Sequence, residues 1–342
     1  MREGENISKE KKIEISTCSH RVIFPLYIPS QEGYYKDAFR IFEMSILSII
    51  KTSISTLKIS VISNGSCDSV NNKLMEMCNN NVIDQLIIEK ESIGKLNSIL
   101  KALRTVEERL ITITDADVLF LNNWEKEVIS IFEAFPNAGM VSAVPVFRTH
   151  YRHTANIWLK FLFSKKLKFR KVYNPEALTK FAKSIGWPRL DAKFKDVILT
   201  LKAKNNTIAV VGNSHFTGTY KKEVFKMLPN ASSSYKLGGD SEKLYLDIPV
   251  IKMGGYRLAT YNNYAYHIGN TIESWMLDEY NALKEEIKVQ NSFNNLKTLK
   301  SKKAEYFLTE KIFKKALIFK PFKKWVFKRK GIVGEQINTF LK

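Results

Sequence analysis

Short apolar runs alternate with segments of helical periodicity through the first half of the chain. Each apolar run has the length of a buried strand, and each intervening segment repeats its apolar residues at the spacing of an amphipathic helix. The pattern predicts strands over residues 22–28, 57–62, 86–88 and 110–114, and helices over 36–50, 69–79 and 94–108. Such an alternation is typical of an α/β fold, in which helices flank a mostly parallel sheet.

The second half of the chain continues this alternation less regularly. It predicts helices over 124–134 and 240–253, the latter bent or interrupted at Pro249, and strands over 139–144, 208–211 and 256–261. Residues 145–205 are basic and aromatic, and we interpret them as an insertion packed over the sheet. These patterns divide the chain into a polar N-terminal arm (1–20), a main domain (21–280) and a basic amphipathic helical tail (281–342).

Three polar segments follow predicted strands at the point where each strand ends. They are Ser63–Gly65, the residues after Ile88, and Asp115–Asp117. Ligands of open parallel sheets bind outside the carboxyl ends of the strands. We therefore expect the functional site at this edge of the sheet.

Composition and charge narrow the class of protein. The chain has 342 residues, of which 44% are hydrophobic, so it is globular rather than disordered. Lys and Arg number 54 against 34 Asp and Glu, which gives a net charge of +20. This excess favours polyanionic partners, namely nucleic acid, an anionic membrane surface or phosphorylated small molecules.

The three cysteines, Cys18, Cys67 and Cys78, have no CxxC spacing, which argues against a zinc ribbon and favours a reducing compartment. The charged start of the sequence is not typical of a secretory signal. No uncharged apolar run approaches the ~18 residues of a membrane-spanning helix. We expect a soluble or peripheral cytoplasmic protein.

Asp115-Ala116-Asp117 is the clearest chemical motif in the chain. Two carboxylates one residue apart can point to the same side of an extended backbone. At a strand end they suit a hard divalent cation, which can bridge a diphosphate and stabilise the charge that develops when it leaves. An ordinary acidic turn is the simpler reading, but the buried strand before the motif favours a site.

Five segments in order make the chain resemble a family 2 glycosyltransferase of the GT-A fold. The resemblance covers about residues 21–270 and rests on the following segments: Pro25-Leu26-Tyr27, Ser63-Asn64-Gly65-Ser66-Cys67-Asp68, Gly94-Lys95-Leu96-Asn97, Thr114-Asp115-Ala116-Asp117 and Gly255-Tyr256-Arg257. It implies a Rossmann-like sheet, a nucleotide diphosphate sugar donor, a divalent metal (Mn²⁺ or Mg²⁺) and an inverting reaction.

The resemblance also implies roles for individual residues. Asp117 would bind the metal, while Asp115 would support the ribose or the metal. A solvated lysine at the start of a helix is the alternative for Lys95. The residues implied in nucleotide-sugar binding are Pro25, Tyr27, Ile28, Asn64, Asp68, Gly94, Lys95, Asn97, Asp115, Ala116 and Gly218.

Two further roles are implied later in the chain. A carboxylate before a helix should accept the proton of the acceptor hydroxyl, and Asp240 is the first choice, with Glu242 in reserve. Simple helix capping is the alternative for Asp240. His267 is a candidate for an additional metal ligand, or else a hydrogen-bonded structural residue. The insertion over 145–205 would form the acceptor side.

The tail combines cationic and aromatic residues. Residues 301–342 hold twelve Lys and Arg and three Glu. Each basic residue near an anionic lipid surface contributes ~1 kcal/mol, so residues 301–330 could hold the protein at a membrane. The alternative is a helical appendage that packs on the main domain and leaves its lysines in solvent. No nucleic-acid motif is present, so nucleic acid is the weaker partner.

These observations predict a metal-dependent inverting glycosyltransferase that acts on a glycan or lipid-linked acceptor, in surface polysaccharide assembly at the inner face of a membrane. One rival is a nucleotidyltransferase, but residues 29–33 lack its glycine-rich basic loop. The other rival is a non-enzymatic basic module that binds membranes or nucleic acid.

Overall fold

The computed structural model describes residues 4–5, 8–12, 18–187, 189–290 and 293–341; the remaining residues of the expected N-terminal arm lie outside this part. The strands are β1 (His20–Leu26), β2 (Leu57–Asn64), β3 (Gln85–Glu89), β4 (Leu110–Thr114), β5 (Val118–Phe120), β6 (Ala138–Ser142), β7 (Leu167–Lys171), β8 (Val197–Lys202), β9 (Ile208–Val211), β10 (Thr217–Lys221), β11 (Tyr256–Thr260) and β12 (Ala265–His267).

Thirteen α-helices are described. They are α1 (Ala38–Thr52), α2 (Asp68–Asn79), α3 (Lys95–Leu103), α4 (Trp124–Ala134), α5 (Ala155–Lys160), α6 (Pro175–Ser184), α7 (Ala192–Asp196), α8 (Ile248–Lys252), α9 (Ser274–Asn281), α10 (Lys303–Tyr306), α11 (Lys314–Ile318), α12 (Lys320–Arg329) and α13 (Gln336–Leu341). The helix expected over 94–108 ends at Leu103, and Arg104 and Thr105 form a turn after it.

A ten-stranded sheet forms the centre of the molecule, with the order β3-β2-β1-β4-β10-β6-β11-β9-β8-β7. Seven strands point in one direction, while β7, β9 and β10 run against them. The predicted class, a mostly parallel sheet flanked by helices, is confirmed. It is the architecture that the GT-A resemblance implied.

Both faces of the sheet are covered, as the continuous apolar strands predicted. Side chains alternate along β1: Val22 and Phe24 enter the larger apolar core, and Ile23 enters the core on the opposite face. All three are fully buried. A strand buried on both faces reads as an unbroken apolar run, which is why its sequence carries no polar alternation.

Residues 145–205 do not simply pack over the sheet. Two of their strands, β7 and β8, continue the sheet beyond β9 as antiparallel neighbours. The insertion was expected to pack over the sheet, but these two segments join it as strands. Leu167–Lys171 alternates apolar with basic residues, and Val197–Lys202 is a short apolar run within a basic segment, so neither pattern indicated a strand clearly.

Pro249 alters the helix expected over 240–253 without ending it, since residues 241–252 are helical throughout. The turn before it, Lys243–Asp247, is π-helical, and α8 begins afterwards with the proline in its first turn. The wider turn changes the helical register at Asp247, a residue that is buried.

The C-terminal helices pack onto the main body of the protein. Leu317, Val326, Phe327 and Phe340 all join the larger core. The Lys330 ammonium group is buried and donates to the carbonyls of the loop after α5. None of the helices in the described ranges is both long enough and apolar enough to span a bilayer.

Candidate active site

A cleft of about 240 Å³ lies at the carboxyl ends of β1 and β4. Two tyrosines of the turn Gly33–Tyr35 line one side, and Gly269 and Asn270, which follow β12, line another. Seven of the residues singled out in the sequence also line it: Pro25, Tyr27, Ile28, Lys95, Asp115, Ala116 and Asp117. The edge of the sheet expected to carry the site therefore does contain a cleft.

Three side chains at this cleft could ligate a cation. One ligand atom each from Asp115, Asp117 and His267 lies within 4.8 Å of the other two. The pairing of β5 with β12 sets His267 opposite Val118, and His267 Nε2 is 3.4 Å from Asp117 Oδ2. Carboxylate oxygens with an imidazole nitrogen form a donor set that suits manganese-like ions.

The electrostatics of these residues fit a cation. Burial raises the pKa of Asp117 to about 6, and the Asp115 carboxylate acts in the same direction against the opposing effect of His267. Within the described residues, the buried Nδ1 atom of His267 has no hydrogen-bond partner. A divalent ion would relieve the repulsion between the two carboxylates.

Lys95 is a fixed cation beside the two aspartates. Its Nζ atom is 2.6 Å from Asp115 Oδ1 and 3.0 Å from Glu242 Oε1. Burial alone would lower the pKa of Lys95, but the two carboxylates outweigh it and raise this pKa. Gly94 allows the close approach of the helix start: its φ is 92°, and a Cβ there would lie 2.8 Å from the Lys236 Cα.

Glu242 begins a chain of ionic contacts that leads away from Lys95. His215 Nδ1 is 3.2 Å from Glu242 Oε2, and His215 Nε2 is 2.7 Å from Asp247 Oδ1. Arg257 completes the chain, with Nη2 2.8 Å from the same Asp247 oxygen. Negative and positive groups alternate along it, so each charge is neutralised by its neighbours.

These contacts determine the protonation states of Glu242 and His215. Burial would raise the pKa of Glu242, but the hydrogen bond from His215 and the charge of Lys95 lower it to about 2. Burial would lower the pKa of His215, yet the Asp247 carboxylate and other contacts raise it. Glu242 is therefore ionised at neutral pH, and the imidazole beside it retains its proton to a higher pH than usual.

Asp240 lies in different surroundings from Glu242. Its side chain is 69% exposed, and one carboxylate oxygen is 2.8 Å from Lys243 Nζ. The hydrogen bond from Lys243 lowers the pKa of Asp240. The structure thus brings the reserve choice for the base, Glu242, next to Lys95, and leaves the first choice paired with a surface lysine.

Asn64 and Asn97, which the resemblance implied in nucleotide-sugar binding, form hydrogen bonds with the backbone and do not line the cleft. The amide of Ile93 donates to Asn64 Oδ1 at 2.8 Å. Asn97 accepts from the amide of Ser233 at 2.8 Å and donates to the carbonyl of the same residue at 3.0 Å. These bonds fix the two loops that flank Gly94, and so position the start of α3.

Asp68 and Gly218 also lie outside the lining of the cleft as far as the described chain shows. Asp68 is exposed at the first turn of α2. Gly218 is buried within β10, where a Cβ would lie 2.4 Å from Met140 Cε. A small residue at this position is explained by packing between neighbouring strands.

The C-terminal segment reaches the far end of the ionic chain. His153 Nε2 is 4.0 Å from Asp247 Oδ2, and His153 Nδ1 is 3.7 Å from Glu310 Oε2. Lys314 Nζ lies 3.0 Å from Glu310 Oε2. Burial would raise the pKa of Glu310, but the contacts with His153 and Lys314 lower it.

Sequence reasoning did not single out His215, Asp247 or Arg257 as site residues. A signal was present for Arg257, because it is the one charged residue in the buried strand β11 and is 1% exposed. A buried charge has to be paired, so an arginine in such a run implies an acidic partner nearby. Nothing in the sequence identified Asp247 as that partner.

No protein-family model matches the sequence, and no curated protein matches it. Among solved structures, it is similar to the mannosyltransferase PcManGT from Pyrobaculum calidifontis in complex with GDP-Man and Mn²⁺, with 15% identity and a TM-score of 0.42, over 94% of this chain and 78% of that chain. It is also similar to TarS 1–349 of S. aureus, with 12% identity and a TM-score of 0.42, over 72% of this chain and 60% of the other. Similarity at this level leaves the function to be argued from the site.

Proposed function

We propose that this protein is a metal-dependent glycosyltransferase of the hexosyltransferase type, which transfers a sugar from a nucleotide diphosphate donor to a hydroxyl group with inversion. The observation that carries the proposal is the cluster of Asp115, Asp117 and His267 beside Lys95. A leaving diphosphate develops negative charge, and a cation site next to a fixed ammonium group is suited to stabilise it.

The donor would enter the cleft with its base against the aromatic side. Tyr27 and Tyr34 are 46% and 69% exposed, and Tyr35 contacts both rings, with centroids 6.0 and 5.1 Å away. The volume of about 240 Å³ is below the ~300–1,000 Å³ of pockets that enclose a whole ligand. A nucleotide sugar would therefore extend from the cleft, past Lys95 and towards Glu242.

Asp117, Asp115 and His267 would hold the divalent metal, Mn²⁺ or Mg²⁺. When bound, the ion supplies Lewis-acid stabilisation of the diphosphate. Lys95 supplies a further positive charge from the protein. It is now shared between Asp115 and Glu242, so an arriving phosphate would compete for it with both carboxylates.

Glu242 is the residue that we propose as the base, with Asp240 as the alternative. The acceptor oxygen forms its bond to the anomeric carbon as the bond from that carbon to the diphosphate oxygen breaks, and the hydroxyl proton passes to the carboxylate. A pKa of about 2 makes Glu242 a weak base while Lys95 holds it. A diphosphate that draws Lys95 away would raise the proton affinity of Glu242.

We propose a glycan or lipid-linked acceptor and a place in surface polysaccharide assembly, at the cytoplasmic inner face of a membrane. The support is the basic C-terminal segment together with the resemblance. The fold alone does not define an acceptor, since the same architecture carries many reactions.

The deciding experiment is a screen of nucleotide sugars for Mn²⁺-dependent release of nucleoside diphosphate. We expect release from one donor, and a loss of at least about 100-fold in Asp117→Asn, because metal stabilisation of the transition state is worth several kcal/mol. The matched control is Asp278→Asn, which changes an exposed aspartate in α9 and should leave release unchanged.

A second readout does not depend on turnover. Mn²⁺ should raise the melting temperature of the wild-type protein and of Asp278→Asn, but not of Asp117→Asn. If no donor gave Mn²⁺-dependent release and neither Mn²⁺ nor any nucleotide sugar shifted the melting temperature, the transferase proposal would be abandoned.

A further inference from the structure

Two segments that are far apart in the sequence form one exposed aromatic contact. Phe163 follows α5 and is 71% exposed, and Trp325 lies in α12 and is 44% exposed. Their ring centroids are 6.4 Å apart, and the Arg329 guanidinium group lies 5.4 Å from the Phe163 ring and 5.7 Å from the Trp325 ring. Large apolar side chains are thus held at the surface together with a cation.

This contact is built into the fold. The buried Lys330 ammonium donates to the carbonyl of Phe161 at 2.7 Å and to that of Ser164 at 2.8 Å. The residues on both sides of Phe163 are thereby tied to the end of α12. Two exposed apolar side chains fixed in this way point to a partner that covers them.

The exposed side of α12 is basic along its whole length. Lys320, Lys324 and Lys328 follow one another at four-residue spacing and are exposed, with Trp325 and Arg329 beside them. The sequence from residue 311 to residue 334 contains nine Lys and Arg and neither Asp nor Glu. We call the surface formed by Phe163, Trp325, Arg329 and these three lysines the aromatic–basic face.

A cavity of about 500 Å³ adjoins this face. Its lining contains four basic residues and no acidic one: Phe163, Ser164, Lys165, Leu167, Lys168, Arg329 and Lys330. A cavity with this lining is complementary to a phosphate group, and its position next to Phe163 places that phosphate beside an apolar side chain. An anionic phospholipid presents these two features together.

Other occupants fit the surface less well. Phe322 stacks on Trp325 with a centroid distance of 5.7 Å, and Arg329 lies over the same ring from the next turn of the helix. Both groups therefore contact the Trp325 ring and compete with any base that would stack on it. Nucleic-acid bases need a free ring face for stacking. A second copy of this face would bring like charges together.

We propose that the aromatic–basic face docks on a bilayer surface that contains anionic phospholipid. Phe163 and Trp325 enter the interface, and the surrounding lysines and Arg329 bind the lipid phosphates. Docking through this face does not require the proposed transferase chemistry. It would fix the orientation of the main domain relative to the membrane, and so favour acceptors that are themselves lipid-linked.

The experiment is co-sedimentation of the full chain with neutral phosphatidylcholine vesicles and with vesicles containing 30% phosphatidylglycerol, about 0.1 M salt being present. We expect binding to the anionic vesicles only. The double variant Lys324→Glu/Lys328→Glu should bind the anionic vesicles at least tenfold more weakly than the wild type. Phe163→Ala/Trp325→Ala should also bind them at least tenfold more weakly.

Matched controls separate this face from general charge and hydrophobicity. Lys126→Glu/Lys226→Glu makes the same change in charge at exposed positions elsewhere, and Ile287→Ala/Val289→Ala removes exposed apolar groups elsewhere. Both should bind as the wild type does. Equal losses in the control and test variants, or equal binding of the wild type to both vesicle types, would overturn the proposal.

Two further measurements identify other outcomes. A wild-type dimer that dissociates in Phe163→Ala/Trp325→Ala would assign the face to contact between copies of the chain, and would overturn lipid docking. Mn²⁺-dependent release of nucleoside diphosphate in solution should be unchanged in all four double variants. Its absence in the wild type would reject the proposed function without affecting the vesicle result.

Discussion

The acidic residues Asp240 and Glu242 are close in sequence but differ in their partners. The Glu242 carboxylate contacts two cationic side chains, Lys95 and His215, at 3.0 and 3.2 Å. Asp240 contacts Lys243 at the surface. Glu242 contacts Lys95, which lines the cleft, so its carboxylate lies near any ligand bound there. Asp240 is exposed, and an exposed side chain can be replaced with little effect.

The first prediction compares these two residues. Glu242→Gln should lower the rate of sugar transfer by about 10²–10⁴-fold, because it removes a proton acceptor. The rate of sugar transfer by Asp240→Asn should stay within about twofold of the wild-type rate. Asparagine tolerates the positive φ at this position, so the substitution should not disturb the backbone. The measurement is the steady-state kcat with saturating donor and acceptor. The reverse order of effects would make Asp240 the base.

A second residue-scale prediction concerns His150, which is buried among aromatic side chains. Burial lowers its pKa from 6.5 to about 3. Between these two values the unfolded chain binds a proton that the folded chain does not, so folding stability falls as the pH decreases through this range. The neighbouring rings include Tyr151, Phe169 and Phe327.

His150→Phe removes this titration and keeps an aromatic ring. Between pH 7.5 and pH 5, the wild type should lose roughly 2 kcal/mol more of its unfolding free energy than the variant does, which is the linkage expected of one such group. Urea unfolding at the two pH values measures the difference. Parallel losses in both proteins would contradict a buried neutral imidazole.

At the scale of secondary-structure elements, α12 belongs to the core on one side and to solvent on the other. Phe327 is fully buried and stacks with Trp158 and Tyr151, at centroid distances of 5.8 and 5.7 Å. Phe319, at the N-terminal end of the same helix, is 64% exposed. The helix is therefore part of the folded domain and is not a detachable tail.

The third prediction follows from this difference. Phe327→Ala should reduce the free energy of unfolding by about 3–5 kcal/mol, the range for a phenylalanine removed from a packed core. Phe319→Ala should change it by no more than about 0.5 kcal/mol. Urea denaturation measures both. Similar small effects would mean that the C-terminal helices do not pack on the main domain in solution.

Most of the elements were predictable, and the exceptions have a common cause. The strands β1, β2 and β4 and the helix α4 were recognised because apolar residues repeat at strand or helix spacing within a single segment. The strands β7 and β8 were missed because both lie in the basic segment 145–205. Lys168 and Arg170 alternate with the apolar residues of β7, whereas β8 is a short apolar run that ends at Lys202. Pairing within the sheet determines that both segments are strands.

At the scale of the whole molecule, buried hydrogen bonds of a carboxylate join parts of the chain that are distant in sequence. Glu125 Oε1 is 2.6 Å from His20 Nδ1, and its other oxygen accepts from the Ser55 amide at 2.8 Å. Burial would raise the pKa of Glu125, but the contacts with His20 and Ser55 lower it. The stability that this carboxylate contributes is present above its unfolded pKa, and is lost as the pH falls through the folded value.

The fourth prediction is a loss of stability below about pH 4, where unfolded carboxyl groups begin to take up protons. Glu125→Gln should be less stable than the wild type at neutral pH and should show a shallower loss on acidification, because the substituted group no longer titrates. Thermal unfolding from pH 7 to pH 3 tests this. A pH profile with the wild-type slope would show that Glu125 does not contribute.

The sequence by itself determined the α/β class, most element positions and the motif Asp115–Asp117, because these depend on the spacing of residues within short segments. It also nominated His267, through a resemblance rather than through any local pattern. The tertiary structure decided which polar groups meet. The pairing of β5 with β12 sets His267 beside Asp117. The packing of the segment after β10 brings Glu242 and Asp247 into contact with His215, which precedes that strand. Distances between residues far apart in sequence depend on the packing of the whole sheet and its helices, and no local periodicity records them.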